Sequence, residues 1–231
     1  MSVTFDEYMD KAAAQAAFSL VRTGSATPVP GGFSWRGHTM TFRPAAALAR
    51  EADYTATVST GARDARGNAL AAERAWGFRT LALRTAVPVA SVVETGRRTA
   101  GTHSLLAADD DRFLRIASAP GGTRVSSWYR RFTGIPNGLR TLKVTERARS
   151  SAQCAQTVSI FNWTSRTWLP LDARAVGANE TTVDRSVPGS LADYVSGSIG
   201  NGEVRVRSRC TRALSGFVTS SDLSRLTYER P

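Results

Sequence analysis

CAQTVSIFNWTSRTWLPL, Cys154 to Leu171, is the stretch that decides the fold. Its alternation sets Cys154, Val158 and Ile160 on one face of a strand, and EVRVRSRC, from Glu203, does the same for Val204, Val206 and Cys210. An antiparallel register with Cys154 opposite Cys210 puts Val158 opposite Val206 and Ile160 opposite Val204. One alignment thus joins the cysteines and matches the apolar faces. On this reading the first stretch is the central hairpin of its domain. Two cysteines in neighbouring strands point to a disulfide, which would stabilise the fold by about 4 kcal/mol. The alternative is a pair of buried thiols acting as small apolar residues.

Working outward, the region from about Val87 onward reads as nine or ten short strands: VASVVE, DRFLRIAS, RVSSWYRRF, LRTLKVTE, CAQTVSIFNW, TWLPLDARAV, ETTVDRSV, EVRVRSRC and DLSRLTYE. PGG at Pro120, IPNG at Ile135 and IGNG at Ile199 supply turns, and only LADYVSG reads as briefly helical. Many short strands separated by turn residues predict a β-sandwich or jelly roll. TLALRTAVPV, ending at Val89, reads as a hinge with Pro88 as the boundary, which gives two domains, 1–82 and 88–231.

The first domain begins with a short strand in VTFDEYMD. Asp10 is the natural N-cap of an Ala-rich helix from Lys11 to Ala17. Strands follow at Phe18 to Arg22 and Tyr54 to Ser59, with a hairpin of FSWRG and HTMTFRP split at Gly37 and a last strand WGFRT. ARDARGNAL has turn chemistry in Asp64, Gly67 and Asn68. The pattern Thr4 to Asp10, Thr39 to Pro44, Tyr54 to Val58, Asp64 to Leu70 and Trp76 to Thr80 resembles the bacterial Ig-like domain family associated with surface-layer proteins. That resemblance implies a small β-sandwich serving as a spacer or adhesive module, with no catalytic residues. The family's usual Pro-rich first strand has no counterpart here. The expectation is therefore a longer exported protein whose signal peptide lies upstream, since MSVTFDEYMD has no signal-peptide features.

The second domain is similar to C-terminal β-sandwich modules of secreted bacterial proteins at Trp128 to Pro136, Phe161 to Trp168, Gly202 to Arg207 and Asp222 to Tyr228. Modules of that shape often bind carbohydrate, sometimes with a structural calcium, but fold alone does not transfer the function.

The chain has 231 residues, 42% hydrophobic and 21% charged, with a formal net charge of +11. The positive charge is almost all arginine, dispersed along the chain, with Lys11 and Lys143 the only lysines. Specific nucleic-acid binding is not expected. Arg205, Arg207 and Arg209 occupy the outward positions beside the core valines, either as a solvated face or as a surface for polyanions. No apolar run is long enough to span a bilayer.

Trp128, Tyr129 and Trp163 are candidates for a sugar-stacking platform, against packing within the sandwich. Alternation cannot bury both Trp128 and Tyr129. Asp109, Asp110 and Asp111, joined by Asp222 if the first and last strands meet, are candidates for calcium, against a polar turn. His38 and His103 fall in different domains without any motif for a metal or nucleophile, and no other catalytic signature is present. The sequence thus predicts an all-β chain of two tandem sandwiches, a non-catalytic structural or binding module of an exported, extracellular or cell-surface bacterial protein. The alternative is the accessory carbohydrate-binding region of a secreted hydrolase. Expected partners are a glycan or other surface polymer, and neighbouring domains or copies in a surface assembly.

Overall fold

The computed structural model describes residues 1–197, 202–213 and 215–230. Most of the IGNG turn predicted at Ile199 lies outside the described residues. Contacts divide the chain into two compact units, Met1–Ala82 and Leu83 onward.

The first unit contains β1 (Ser2–Thr4), α1 (Lys11–Ala16), β2 (Phe18–Arg22), β3 (Gly31–Arg36), β4 (Thr39–Pro44), β5 (Asp53–Val58) and β6 (Arg74–Arg79). They form two three-stranded antiparallel sheets, β1-β4-β3 and β2-β5-β6. Alternation along β4 and β5 buries Met40, Phe42, Tyr54, Ala56 and Val58 between them. Local chemistry sets the connections. The Asp10 carboxylate accepts from Ala12 N and Ala13 N, satisfying two of the free donors at the start of α1. Asp64 accepts from the backbone N–H of Arg66 and Asn68 and from the Asn68 side chain. Gly67, at φ 90°, takes the left-handed position that this turn requires.

β7 (Ala82–Ala86) starts on the last residue of the first unit and leads into the second, where β8 (Ala90–Thr95), β9 (Arg97–Ala100) and β10 (Leu114–Ala117) follow. The long strands follow: β11 (Thr123–Ile135), β12 (Thr141–Ser150), β13 (Cys154–Asn162) and β14 (Thr167–Val176). It ends with β15 (Thr181–Ser186), β16 (Gly202–Ala213) and β17 (Val218–Arg230). One sheet has the order β15-β12-β17-β10-β9 with β7 also on β17, and the other has the order β14-β13-β16-β11-β8. Their inner faces meet around Phe132, Ile135, Leu142, Val144, Val158, Ile160, Val204, Val206 and Leu226, which makes a jelly-roll-like sandwich. LADYVSG holds one 3₁₀ turn, Leu191–Tyr194.

Three expectations change. The segment read as a hinge contributes β7, whose backbone pairs with β17. The Cys154–Leu171 hairpin is not central, since β14 is an edge strand and β16 holds the middle of its sheet. The Cys154–Cys210 disulfide is present, with Cα atoms 5.7 Å apart, but the register is shifted by two. Gln156 stands opposite Cys210, Val158 opposite Ser208 and Ile160 opposite Val206. A shift of two leaves every side chain on its face, so alternation alone cannot distinguish the two alignments.

The interior is not wholly apolar. Arg130 of β11 and Glu146 of β12, both fully buried, meet across the two sheets at 2.6 Å. Ser208 of β16 accepts from both terminal guanidinium nitrogens at 2.9 Å and donates to the Glu146 carboxylate. The guanidinium also lies 4.5 Å from the centroid of the Trp128 ring. Burial pulls the Arg130 pKa down while Glu146 pushes it back up. Losing one partner strands a buried charge, whereas replacing both need not destabilise. Glu146→Ala is therefore expected to cost about 3–5 kcal/mol in urea unfolding. The double variant Arg130→Met/Glu146→Leu is expected to lose much less, and equal losses in the two would contradict this account.

Candidate ligand-binding face

The outer face of the five-stranded sheet is built by the residues alternating with its core. On β16 these are Glu203, Arg205, Arg207 and Arg209, and on β11 Tyr129 and Arg131 stand opposite Arg207 and Arg205. On β13 Phe161 pairs with Trp168 of β14, and Trp163 follows in the connecting turn. Asn162 Oδ1 accepts from Ser165 N and closes that turn.

Four rings gather here. Phe161 lies 5.1 Å from both Trp163 and Trp168, and Trp168 lies 5.9 Å from Tyr129. The Arg205 guanidinium sits 4.5 Å from the Trp163 ring, 5.4 Å from Tyr129 and 5.7 Å from Phe161. Arg207 sits 4.4 Å from the Trp168 ring. All four rings are half-buried, with Phe161 edge-on to both tryptophans and Tyr129 tilted against Trp168, and all keep surface in contact with water. The Trp163 indole N–H donates to the Glu203 carbonyl at 2.9 Å, which fixes its ring.

Glu203 anchors the charges, accepting from Arg131 at 2.5 Å and also from Arg205. Its burial opposes ionisation, but the hydrogen bonds from Arg131 and Arg205 outweigh it and hold the carboxyl below its ordinary range. Arg207 is fixed less completely. Its nearest carboxylate, Glu94, is 3.9 Å away, and its buried Nε has no hydrogen-bond partner. Burial, with the like charge of Arg209, lowers its pKa, and Glu94 opposes this.

Two of the three predicted platform residues, Tyr129 and Trp163, lie on this face. Trp128 does not, because it is buried with Leu106, Leu114 and Ile116 in a second apolar cluster. Arg205 and Arg207 are ring-bound and half-buried, and only Arg209 is exposed. Phe161, Trp168, Arg131 and Glu203 were missed as site residues. The cross-strand position of Trp168 opposite Phe161 was the available signal.

The acidic residues separate. Asp111, Glu180 and Asp222 offer carboxylate oxygens within 4.8 Å of one another. Asp109 instead pairs with Arg147, which also holds Glu180 at 2.5 Å, and Asp110 accepts from Arg112 N in its own turn. Asp222 is fully buried with neither oxygen hydrogen-bonded, and one oxygen of Glu180 is equally unpartnered. Burial, followed by repulsion from Glu180 and the proximity of Asp109, pushes the Asp222 carboxyl up to about 6. His38 stands edge-on to Tyr8, 4.2 Å away in the first unit, and His103 opens a 3₁₀ turn in the second. Among the described residues no helix is long and apolar enough to cross a membrane.

These are two sandwich modules in tandem. Residues 1–80 match the model of the bacterial Ig-like domain family. No curated protein matches the chain. Solved structures similar to it include a carbohydrate-binding module designated CBM4, 13% identical over 60% of this chain and 94% of that one, TM-score 0.38. Another is the C-terminal CBM6 of LamC, a marine laminarinase of Zobellia galactanivorans, 12% identical over 63% and 99%, TM-score 0.33. A third is the N-terminal cellulose-binding domain of Cellulomonas fimi β-1,4-glucanase C, 13% identical over 57% and 86%, TM-score 0.36.

Because the folded pKa of Glu203 is depressed, its contribution to stability is present above the unfolded value and lost as pH falls through the folded one. Melting curves from pH 7 to 3 should show a decline at the acid end that is shallower in Glu203→Gln. An identical acid slope in that variant would show that the Arg131–Glu203–Arg205 bridge contributes nothing.

Proposed function

We propose that the second unit is a non-catalytic glycan-binding module and that the Ig-like unit serves as its spacer in an exported bacterial protein. One observation carries this reading: Tyr129, Phe161, Trp163 and Trp168 are held half-exposed on a single sheet face with Arg205 and Arg207 set against them. Rings fixed by neighbouring rings and guanidiniums lose little conformational freedom when a sugar's apolar C–H face settles on them. The arginine N–H groups then donate to its hydroxyl or acidic substituents. The disulfide fits an oxidising compartment. Within this reading, a surface fibre or adhesin and an accessory region of a secreted hydrolase differ in the domains that accompany the module. Further Ig-like repeats in the full gene support the fibre, and an encoded hydrolase domain supports the accessory role.

Affinity electrophoresis of the full chain in gels containing soluble polysaccharides, with a glycan array to choose them, tests the proposal. Trp163→Ala and Trp168→Ala should each weaken retention at least about tenfold, equivalent to about 1.4 kcal/mol, while leaving the melting temperature little changed. Retardation by no glycan, or retention unaltered in both variants, overturns it.

A structural cation is a second reading, resting on the orphaned buried carboxylate of Asp222. Asp111, Glu180 and Asp222 supply the all-oxygen donor set preferred by a hard divalent ion, and calcium would offset the repulsion that raises Asp222. Millimolar calcium is expected to raise the melting temperature of the wild type and not that of Asp222→Asn. A melting temperature unmoved by calcium or chelator removes the cation.

A further inference from the structure

The outer face of the other, six-stranded sheet carries a groove that the glycan reading does not use. Arg115 of β10 and Arg149 of β12 stand opposite Ser220 of β17 from its two sides, forming one Arg–Ser–Arg row across three strands. Their Cα atoms are thus two strand spacings apart, roughly 9.6 Å. Both guanidiniums lie against one ring, that of Phe113, with Arg149 4.3 Å and Arg115 5.9 Å from its centroid. No carboxylate forms an ion pair with either arginine among the described residues, whereas Arg131, Arg174 and Arg205 on the same unit each have one and Arg147 has two. The space between them, about 530 Å³, is also lined by Ser150 and Ser151. The buried hydroxyl of Ser150 has no hydrogen-bond partner, and the Ser151 hydroxyl accepts from Val218 N, leaving its own hydrogen to donate.

We infer that the groove between Arg115 and Arg149 binds a tetrahedral oxyanion, the sulfate or phosphate ester of a sugar polymer. Two guanidiniums resting on a shared ring are preorganised, and each offers several N–H donors to such an ion. The Ser151 hydroxyl supplies a neutral donor beside them. Such an ion makes charge-assisted bonds with both arginines at once, which one planar carboxylate is less suited to do across this separation. Asp109 and Glu180 are engaged by Arg147 of β12. Asp111 and Asp222 belong to the acidic cluster that they form with Glu180.

The test is salt elution of the full chain from three columns: dextran sulfate, phosphocellulose and carboxymethyl dextran. Elution from one or both ester columns is expected at higher salt than from the carboxylate column by roughly 0.1 M, since each engaged ester group steepens the salt dependence. Arg115→Gln/Arg149→Gln should abolish that difference. Arg22→Ala/Arg36→Ala, which removes the same charge from exposed positions in the first unit, should preserve it. The single variant Arg115→Gln, at an exposed position, substitutes if the groove pair melts early. Sulfate and phosphate as the source are told apart by which ester column retains the protein longer. Equal shifts in both double variants would mean diffuse charge only. Loss confined to Arg205→Ala/Arg207→Ala would move the anion to the opposite face. Either outcome overturns the inference.

Discussion

The ion pair of Arg130 and Glu146 is the constraint on which the larger unit depends. Strands from the two sheets contribute one member each, and Ser208 from a third strand bridges them, accepting from both terminal guanidinium nitrogens and donating to the carboxylate, while Arg130 Nε alone is left without a partner. A buried pair of this kind is stable only in a geometry that satisfies it, so it penalises any other spacing or register of the sheets more than it strengthens the right one. The apolar clusters on either side can tolerate some slippage among valines, isoleucines and leucines. The charges between them cannot, because a displaced Arg130 would be left in a medium that does not solvate it.

The same alternation that fills the core also makes the binding face. On β11, Trp128, Arg130 and Phe132 go inward while Tyr129 and Arg131 go outward. On β16, Val204, Val206 and Ser208 go inward while Arg205 and Arg207 go outward. Apart from Trp163, in the turn between β13 and β14, core and site are therefore two sides of one set of strands, and the rigidity of the first is passed directly to the second. That rigidity matters for a surface of rings and guanidiniums, whose mobile side chains would otherwise lose much of their interaction energy in being ordered.

How much of this was legible in the sequence varied with how local each feature was. The β-rich architecture, the Asp10 cap, the Gly37 hairpin and the cysteine pair follow from patterns within a few residues or from matching periodicity, and they could be read. Register within the β13–β16 pair could not, because two-residue shifts conserve every face. Trp128 was unreadable for a specific reason: it shares its face with Arg130, and an arginine in a core position disguises an inward face as an outward one. Glu180 was missed as a partner of Asp222 because strand pairing far along the chain brings them together, with no signal near either residue. Asp109, Asp110 and Asp111 looked equivalent in sequence, and the positive φ of 61° at Asp111 and the reach of Arg147 separate them only in three dimensions.

The strand Val218–Arg230 lies between β12 and β10, in the interior of its sheet rather than at a margin. During synthesis the β12–β15 and β10–β9 pairs of that sheet therefore wait without their common neighbour until these residues leave the ribosome. Premature termination just before Val218 would split the sheet instead of trimming it.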